Sequence, residues 1–271
     1  MLPLLRNPRY EVFPAKSIDA EVLEWVPPQV TVTVTASPAK GLDVTVDLSV
    51  RLATHGFQVV PHLSARLVRD DAHLAEVVGR LTGCGITDVF VPAGDADPPA
   101  GRFDSALLLL ARLAEMGHPF ARVGVTGYPQ THPRIADDIT IQAMWDKRHY
   151  ADYLVSNLCL DPATLRRWIA RVRARGVTLP LYVGLSGPVD RARLLRMAAV
   201  AGVGESARFL AGHTEWFLRA GTPGGYSPDR LLERTGSCLA APESVVAGLH
   251  VFTFNQVRQT EQWRESLLHR L

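Results

Sequence analysis

The chain has 271 residues, of which 47% are hydrophobic, so it can bury the core of one large globular unit. Its 29 Lys and Arg residues nearly balance its 27 Asp and Glu residues, for a formal net charge of +2. This balance excludes the basic footprint of a nucleic-acid-binding domain and the polybasic patch of a membrane-surface protein. We therefore expect a small-molecule ligand, with neither nucleic acid nor membrane as a partner.

Cysteine and histidine spacing predicts no metal site. The three cysteines, Cys84, Cys159 and Cys238, are far apart and odd in number, which is typical neither of a zinc site nor of a disulfide framework. The nine histidines form no HxxxH or HxH pair. No apolar run reaches the roughly 18 residues that cross a bilayer, and no secretory leader pattern opens the sequence. These patterns predict a cytoplasmic protein, and none of them predicts its oligomeric state.

Short apolar runs alternate with longer amphipathic stretches along the chain, which is typical of parallel strands joined by helices. Several runs are rich in Val, Ile, Phe or Tyr, as buried strands are. The runs predict eight strands, at about residues 9–13, 30–35, 58–62, 88–92, 122–126, 153–157, 180–184 and 249–254. The amphipathic stretches predict helices at 43–55, 71–84, 103–115, 136–150, 161–175 and 191–203. For the fifth of these, Asp161 before Pro162 predicts the N-cap and Gly176 predicts the stop.

Eight strands with intervening helices predict a (β/α)₈ barrel that forms a single domain over residues 1–271. An open doubly wound sheet would more often have five to seven strands and a glycine-rich phosphate loop after the first. The nearest such pattern, at 202–207, follows a helix instead of a strand. A long insertion at 206–247, between strands seven and eight, is placed to cover the barrel mouth.

An acidic residue interrupts the first apolar run. Glu11 stands among Tyr10, Val12 and Phe13, where a carboxylate has no ordinary core role. One interpretation is a structural ion pair with Arg9 or Lys16. The other is function, because the carboxyl ends of barrel strands converge on the active site. Polar residues stand at or just after the ends of other strands as well: Thr33, Thr35, His62, Ser64, Asp95, Tyr128, Gln130, His132, Asn157, Thr253 and Asn255.

An ordered series of short motifs carries a family resemblance. The motifs are Glu11-Val12-Phe13-Pro14, Pro61-His62-Leu63, Gly94-Asp95, Gly127-Tyr128-Pro129 with His132-Pro133, and Phe252-Thr253-Phe254-Asn255. In this order they resemble the methylenetetrahydrofolate reductase family, whose fold is a (β/α)₈ barrel. Each motif alone is weak, and the resemblance lies in the ordered set, which runs from Tyr10 to Asn255.

The resemblance implies a role for each matched residue. Glu11 would be the acid that opens the five-membered ring of methylenetetrahydrofolate, and burial among apolar neighbours favours the protonated carboxyl that this step needs. Asp95 would hydrogen-bond the pterin, or else serve as a turn residue. Asn157, where the family usually has glutamine, would bind the pterin edge or simply begin a loop. Phe254 and Asn255 would line the p-aminobenzoyl group, or Phe254 would fill the barrel rim.

The sequence departs from the family where flavin is bound. Most members hold FAD with an arginine, a Tyr-Ala pair, a glutamate and basic residues, and Ala93, Asp104, Gln130 and Asp146 replace these groups. Carboxylates would repel a pyrophosphate, and the lost arginine removes a bidentate partner.

The chain thereby resembles a short actinobacterial branch in which NADH gives its hydride to the folate directly. The nicotinamide would lie near Thr33, His62, Tyr128 and His132, although His62 is also interpretable as a structural histidine. Two alternatives stay open, namely an FAD-dependent reductase with rebuilt phosphate contacts and a folate-binding barrel without catalysis. No residue distinguishes NADH from NADPH.

Overall fold

The computed structural model describes residues 2–130, 137–200, 206, 218–219, 222–223 and 225–270. Eight parallel strands form one sheet, and the first strand pairs with both the second and the last. The strands are β1 (Arg9–Val12), β2 (Thr31–Val34), β3 (Val59–Pro61), β4 (Asp88–Phe90), β5 (Arg122–Gly127), β6 (Tyr153–Ser156), β7 (Leu181–Ser186) and β8 (Val246–Phe252).

The sheet closes between β3 and β4. One parallel bridge joins His62 to Phe90, and the Leu63 N–H donates to the Phe90 carbonyl at 2.8 Å. The predicted (β/α)₈ barrel is therefore confirmed, and each predicted strand lies at its predicted place.

Helices surround the sheet. They are α1 (Leu2–Arg6), α2 (Ile18–Trp25), α3 (Gly41–Thr54), α4 (Asp71–Gly83), α5 (Ala106–Glu115), α6 (Asp137–Lys147), α7 (Pro162–Ala174), α8 (Arg191–Val200), α9 (Asp229–Ala240) and α10 (Val257–Arg270). The predicted helices match α3 to α8, although α5 begins three residues later than expected. The sequence patterns did not predict α1, α2, α9 or α10. No helix among the described residues has both the length and the apolar character to cross a membrane.

Helix α7 shows how local sequence sets the element ends. The Asp161 carboxylate accepts hydrogen bonds from the Ala163 and Thr164 N–H groups at 2.9 and 3.3 Å, and Pro162 occupies the first turn. Gly176 then takes a left-handed φ of 78° after the last turn. The predicted cap and stop are both confirmed.

Alternation along the strands separates two cores. In β2, Val32 and Val34 belong to the large core between the sheet and the helices, so the intervening Thr33 faces the barrel interior. A smaller cluster fills the interior; it comprises Val60, Phe90, Tyr153 and Val155, with Tyr182 against it. By the same alternation Tyr10 points out to α10, where its hydroxyl donates to Glu261 at 2.7 Å. Arg9 and Glu11 therefore point inward.

A buried cation closes the amino-terminal end of the barrel. The Arg9 guanidinium lies 3.9 Å from the ring centre of Tyr182 and 4.3 Å from that of Tyr153. It donates to Asp88 at 2.8 Å, and Asp88 also accepts from the Tyr153 hydroxyl at 2.6 Å. Arg122 lies at the edge of this group, 3.6 Å from Asp88. Arg9 is thus committed to the floor of the barrel.

The predicted insertion at 206–247 is described only in part. Its last third forms α9, which buries Leu231, Leu232 and Leu239, and a 3₁₀ turn at Pro242–Ser244. Helix α9 packs beside α7 in the outer ring. Because 207–217, 220–221 and 224 lie outside the described residues, cover of the mouth by this insertion stays a prediction.

Candidate active site

Glu11 lies where β1 approaches the carboxyl end of the barrel. Its Cα pairs with Thr33 of β2 on one side and with Phe252, the last residue of β8, on the other. The side chain is 17% exposed, so it is largely enclosed while still reaching the mouth. Neither basic residue nearby in sequence contacts it. Arg9 binds Asp88 instead, and the Lys16 side chain is exposed to solvent. The structural ion pair considered from the sequence is absent among these residues.

Two histidines enclose the carboxylate. The His250 Nε2 lies 2.9 Å from Oε2 of Glu11, within hydrogen-bond distance, and the His62 Nε2 lies 3.7 Å from the same oxygen. Both imidazoles are buried, with His250 only 2% exposed. Within the described residues, no group of three or more His, Cys, Asp or Glu side chains is arranged to hold a metal ion. The cluster is therefore a hydrogen-bonded arrangement around one carboxylate.

His62 is a neutral member of this cluster. Burial lowers the pKa of His62 to about 4, despite the opposing attraction of Glu11. Its ring lies against Phe90, with 4.7 Å between ring centres, on the interior surface of β3 and β4. At neutral pH this imidazole places no positive charge beside Glu11. His62 thus lies beside Glu11 and packs as a core histidine does, and its contact with a nicotinamide stays a prediction.

The end of β8 fixes the backbone that carries Glu11. The Thr253 hydroxyl donates to the Glu11 carbonyl at 2.6 Å. The Asn255 side chain accepts from the Phe13 N–H and donates to the Phe13 carbonyl, both at 2.9 Å, as a neighbouring strand would. The predicted folate contact of Asn255 is untested, and its amide has a structural role of its own.

Two consecutive residues after β8 adopt an uncommon backbone. Phe254 and Asn255 have φ values of 51° and 58°, in the left-handed region that Asn adopts readily and Phe seldom. At Phe254 this backbone costs about 1–3 kcal/mol, and strain of this kind concentrates at functional sites. The Phe254 ring is 8% exposed and stacks near Phe252, with 6.5 Å between ring centres. This geometry holds an aromatic pair at the rim beside Glu11.

The loop after β4 presents Asp95 to solvent. Arg66 organises this loop, since its Nε donates to the Ala96 carbonyl at 2.6 Å and its Nη1 to the Asp104 carbonyl at 3.3 Å. Gly94 has a φ of 89°, and a Cβ there would fall 1.8 Å from the Ser64 Oγ. Only glycine fits this close approach. These contacts fix the conformation of the loop. The Asp95 side chain is exposed on it and is available for a ligand.

The remaining predicted residues lie on neighbouring strands. Thr33 is buried and its hydroxyl is 3.5 Å from the Tyr10 carbonyl. Burial raises the pKa of Tyr128, and Asp95 is close enough to add to that shift. The Asn157 Oδ1 accepts from the Leu158 N–H at 2.8 Å, which supports the loop-entry interpretation without excluding a ligand. His132 lies outside the described residues, so its predicted role has no structural counterpart.

Gln130 is buried and hydrogen-bonded to Ser206. Its Oε1 accepts from the Ser206 N–H at 3.1 Å, its Nε2 binds the Ser206 hydroxyl, and that hydroxyl also accepts from the Leu160 N–H at 2.8 Å. The side chain is 5% exposed. This amide therefore links the loop after β5 to residue 206 of the insertion.

Sequence reasoning missed His250 and Arg66. His250 lies inside the predicted eighth strand, two residues before Phe252, and its Cα pairs with Arg9. Its inward orientation follows from the two-residue alternation of a strand, so a polar residue in an apolar run was an available signal. Arg66 left no comparable signal, because a single arginine in a loop is usually solvated.

Two comparisons with known protein sequences indicate the family of this chain. The family model described as methylenetetrahydrofolate reductase matches residues 15–208, more than half of the chain. Glu11 and β8 lie outside that span. Methylenetetrahydrofolate reductase 2 of Saccharomyces cerevisiae is 29% identical over 115 residues, which are 40% of this chain and 19% of the yeast protein. The chain thus matches about a fifth of that relative's length.

Solved structures share the fold at low identity. A C-terminal domain from Desulfitobacterium hafniense superposes with a TM-score of 0.54 at 12% identity, covering 97% of each chain. A family GH18 chitinase from Cycas revoluta, solved with allosamidin, gives 0.52 at 11% identity and covers 96% of this chain and 98% of its own. At such identity these likenesses support the barrel fold alone.

Proposed function

The chain belongs to the methylenetetrahydrofolate reductase family, and from that membership we propose that it reduces 5,10-methylenetetrahydrofolate to 5-methyltetrahydrofolate. NADH is the proposed hydride donor, without a flavin intermediate. Glu11 is the proposed proton donor. Asp95 and Asn157 would bind the pterin, and Phe254 with Asn255 would border the p-aminobenzoyl group.

The observation that carries the proposal is the enclosed carboxylate of Glu11. It is inside the barrel, near the end where barrel enzymes hold their substrates, and its partners are two imidazoles instead of a structural cation. Ring opening needs an acid, because the ring nitrogen next to the p-aminobenzoyl group must be protonated before it leaves. The resulting iminium then accepts hydride at the methylene carbon. Glu11 supplies the group that this sequence of steps requires.

The positions that hold flavin in most of the family support a flavin-free reaction. Both ends of the Gln130 amide are bound to Ser206, so this side chain has no open face toward a cofactor. The Asp146 carboxylate accepts from Gln142 at 2.8 Å, and Asp104 is exposed. A pyrophosphate would meet two carboxylates at these positions, and none of these residues is an arginine. They do not fit FAD.

Direct transfer requires both reactants in the mouth at once. We place the nicotinamide near Thr33, His62 and Tyr128, with the folate between it and Glu11. Thr33 lies on β2, which pairs with β1, and His62 directly follows β3, the next strand of the sheet, so a ligand over them would lie beside the acid. Holding two reactants at near-attack distance would account for much of the acceleration.

Three measurements test this function. An absorbance scan of the purified protein should lack a flavin spectrum, and the same sample should oxidise NADH when methylenetetrahydrofolate is added. Deuterium from NADH labelled at the reactive position should appear in the product's methyl group without loss to water. Glu11→Gln should lower kcat by about 10²- to 10⁴-fold, the usual contribution of a general acid.

Glu24→Gln is the matched control, because Glu24 is an exposed carboxylate of α2 and its loss should leave kcat unchanged. A flavin spectrum, or deuterium lost to solvent, would refute direct transfer. Colourless protein that binds folate but oxidises no NADH would instead identify a folate-binding barrel. An active Glu11→Gln variant would remove Glu11 from the role of acid.

A further inference from the structure

Both imidazoles of the site approach one oxygen of Glu11. His250 on β8 and His62 after β3 lie 2.9 and 3.7 Å from Oε2, whereas Oε1 makes no hydrogen bond with any residue in the described part of the chain. They are also the two titratable side chains that contact Glu11 among those residues. The carboxyl group is thus held from one side, and its second oxygen is left for a ligand.

The tautomer of His250 follows from its two ring nitrogens. Nδ1 is fully buried and has no hydrogen-bond partner among the described residues. A neutral ring with its proton on Nδ1 would leave a buried N–H without a partner there and would turn the Nε2 lone pair toward Oε2, an oxygen that a carboxylate offers only as an acceptor. With the proton on Nε2, Nδ1 carries only a lone pair and Nε2 donates to Oε2 at 2.9 Å.

His62 does not replace this donor. Its Nε2 is too far from Oε2 for a hydrogen bond and is itself buried without a partner among the described residues. Burial lowers the pKa of His62 to about 4, so this ring is neutral at neutral pH. Orientation of the Glu11 carboxyl therefore depends on one N–H group, that of His250.

We infer that His250 is a positioning residue whose Nε2–H holds Oε2 of Glu11, so that the proton which Glu11 donates is carried on Oε1. The inference rests on the proposed function. In the reaction the proton passes from Oε1 to the leaving ring nitrogen, the carbon–nitrogen bond breaks to form the iminium, and the hydride of NADH completes the methyl group. Glu11 is left as a carboxylate that regains its proton from solvent, to which its side chain is 17% exposed.

This arrangement has a measurable signature in the pH dependence of turnover. An N–H donor stabilises the ionised carboxylate, so removing the donor favours the protonated form. His250→Phe keeps a ring but lacks the donor, and we expect its basic limb of kcat/KM to move to higher pH. We also expect kcat to fall about 10²-fold, with KM little changed, because a misplaced acid costs roughly that much.

His250→Gln is the conservative variant, since its amide N–H reaches about as far as Nε2 and cannot titrate. It should retain most of the kcat and the wild-type basic limb. His73→Gln is the matched control, because His73 is an equally buried histidine that faces a carboxylate, Asp43 at 3.4 Å, outside the barrel. Its pH profile and kcat should match those of the wild type.

A direct readout in the wild-type protein avoids dependence on folding of the variants and on turnover. With ¹⁵N-histidine labelling, NMR distinguishes the two neutral tautomers and the imidazolium, and contacts to the Phe252 ring, 4.9 Å away, identify His250. We expect the tautomer with its proton on Nε2.

An Nδ1–H tautomer would overturn the inference, as would a basic limb that stays in place or moves to lower pH in His250→Phe. Equal loss of activity in the Phe and Gln variants would also overturn it. If the wild-type protein oxidised no NADH, the proposed function would fail. The NMR result would still decide how Glu11 is held.

Discussion

The buried cation beneath the site gives a prediction whose size follows from its contacts. Arg9 is 4% exposed, donates to Asp88 at 2.8 Å and lies between the rings of Tyr153 and Tyr182. Arg9→Met keeps most of the aliphatic packing but removes the charge. Asp88 is then left without its main partner at the end of the barrel.

The magnitude depends on what Asp88 retains. Removing one partner of a buried ion pair typically costs 3–5 kcal/mol, because the other charge remains uncompensated. Asp88 is 17% exposed and keeps the Tyr153 hydroxyl at 2.6 Å and Arg122 at 3.6 Å, which places this case at the lower end. We expect the free energy of unfolding to fall by about 3 kcal/mol. For a chain of this size that corresponds to roughly 6–12 °C in Tm.

Urea denaturation followed by linear extrapolation measures this loss, with the m-value expected to stay constant. Arg51→Met is the matched control, because Arg51 makes an exposed ion pair with Asp19 whose side chains are 54% and 36% exposed. Exposed pairs contribute about 0–1 kcal/mol. A loss for Arg9→Met no larger than that of the control would refute the view that this cation stabilises the barrel floor.

Two further predictions concern the backbone clamp and a buried amine. Asn255→Ala should destabilise the protein by about 2–3 kcal/mol in urea denaturation. It leaves the Phe13 N–H and carbonyl unpaired and places alanine at a φ of 58°. Asn255→Asp keeps only the acceptor, and its free energy of unfolding should fall by less. Burial lowers the pKa of Lys147 from 10.5 to about 8. The unfolded chain therefore binds more protons between those values, and the stability contribution of Lys147 should rise with pH across that window. Lys147→Met should lack this rise and be more stable than the wild type at neutral pH. Replacing the exposed Lys16 by Met should change neither the pH dependence nor the free energy of unfolding.

The barrel was predictable because its signals are local and repeated. Each strand is a short apolar run of a parallel sheet. The N-cap at Asp161, with Pro162 and Gly176, was enough to predict both ends of one helix. Helix α10 escaped prediction because its stripe is interrupted by Arg264 and Glu261, which are buried as an ion pair beside Tyr10. Polar residues that pair inside a core carry no hydrophobic periodicity, and sequence patterns do not report them.

The sequence indicated where the candidate site lies, but it did not indicate which side chains contact one another there. Glu11 stood out because a carboxylate in an apolar run has few structural explanations. Its partner His250 is 239 residues away, and only the register between β1 and β8 brings them together. Asn255 shows the same limit, because nothing in the sequence indicated that its amide holds the Phe13 backbone, and the ligand contact that the family pattern implied stays a prediction.

The contrast between Arg9 and Glu11 explains why the Glu11 carboxylate is not paired with the nearest cation on its own strand. The two are opposite charges on the same inward face of β1, and an ion pair between them is the simplest reading of the sequence. Residues two apart on a strand are separated by about 6.6 Å along its axis, so each meets a different layer of the barrel. Arg9 meets Asp88 and two tyrosine rings in the floor, and Glu11 meets imidazoles near the mouth. Because the floor satisfies its own cation, Arg9 does not pair with Glu11, and Oε1 of Glu11 makes no hydrogen bond with any residue in the described part of the chain.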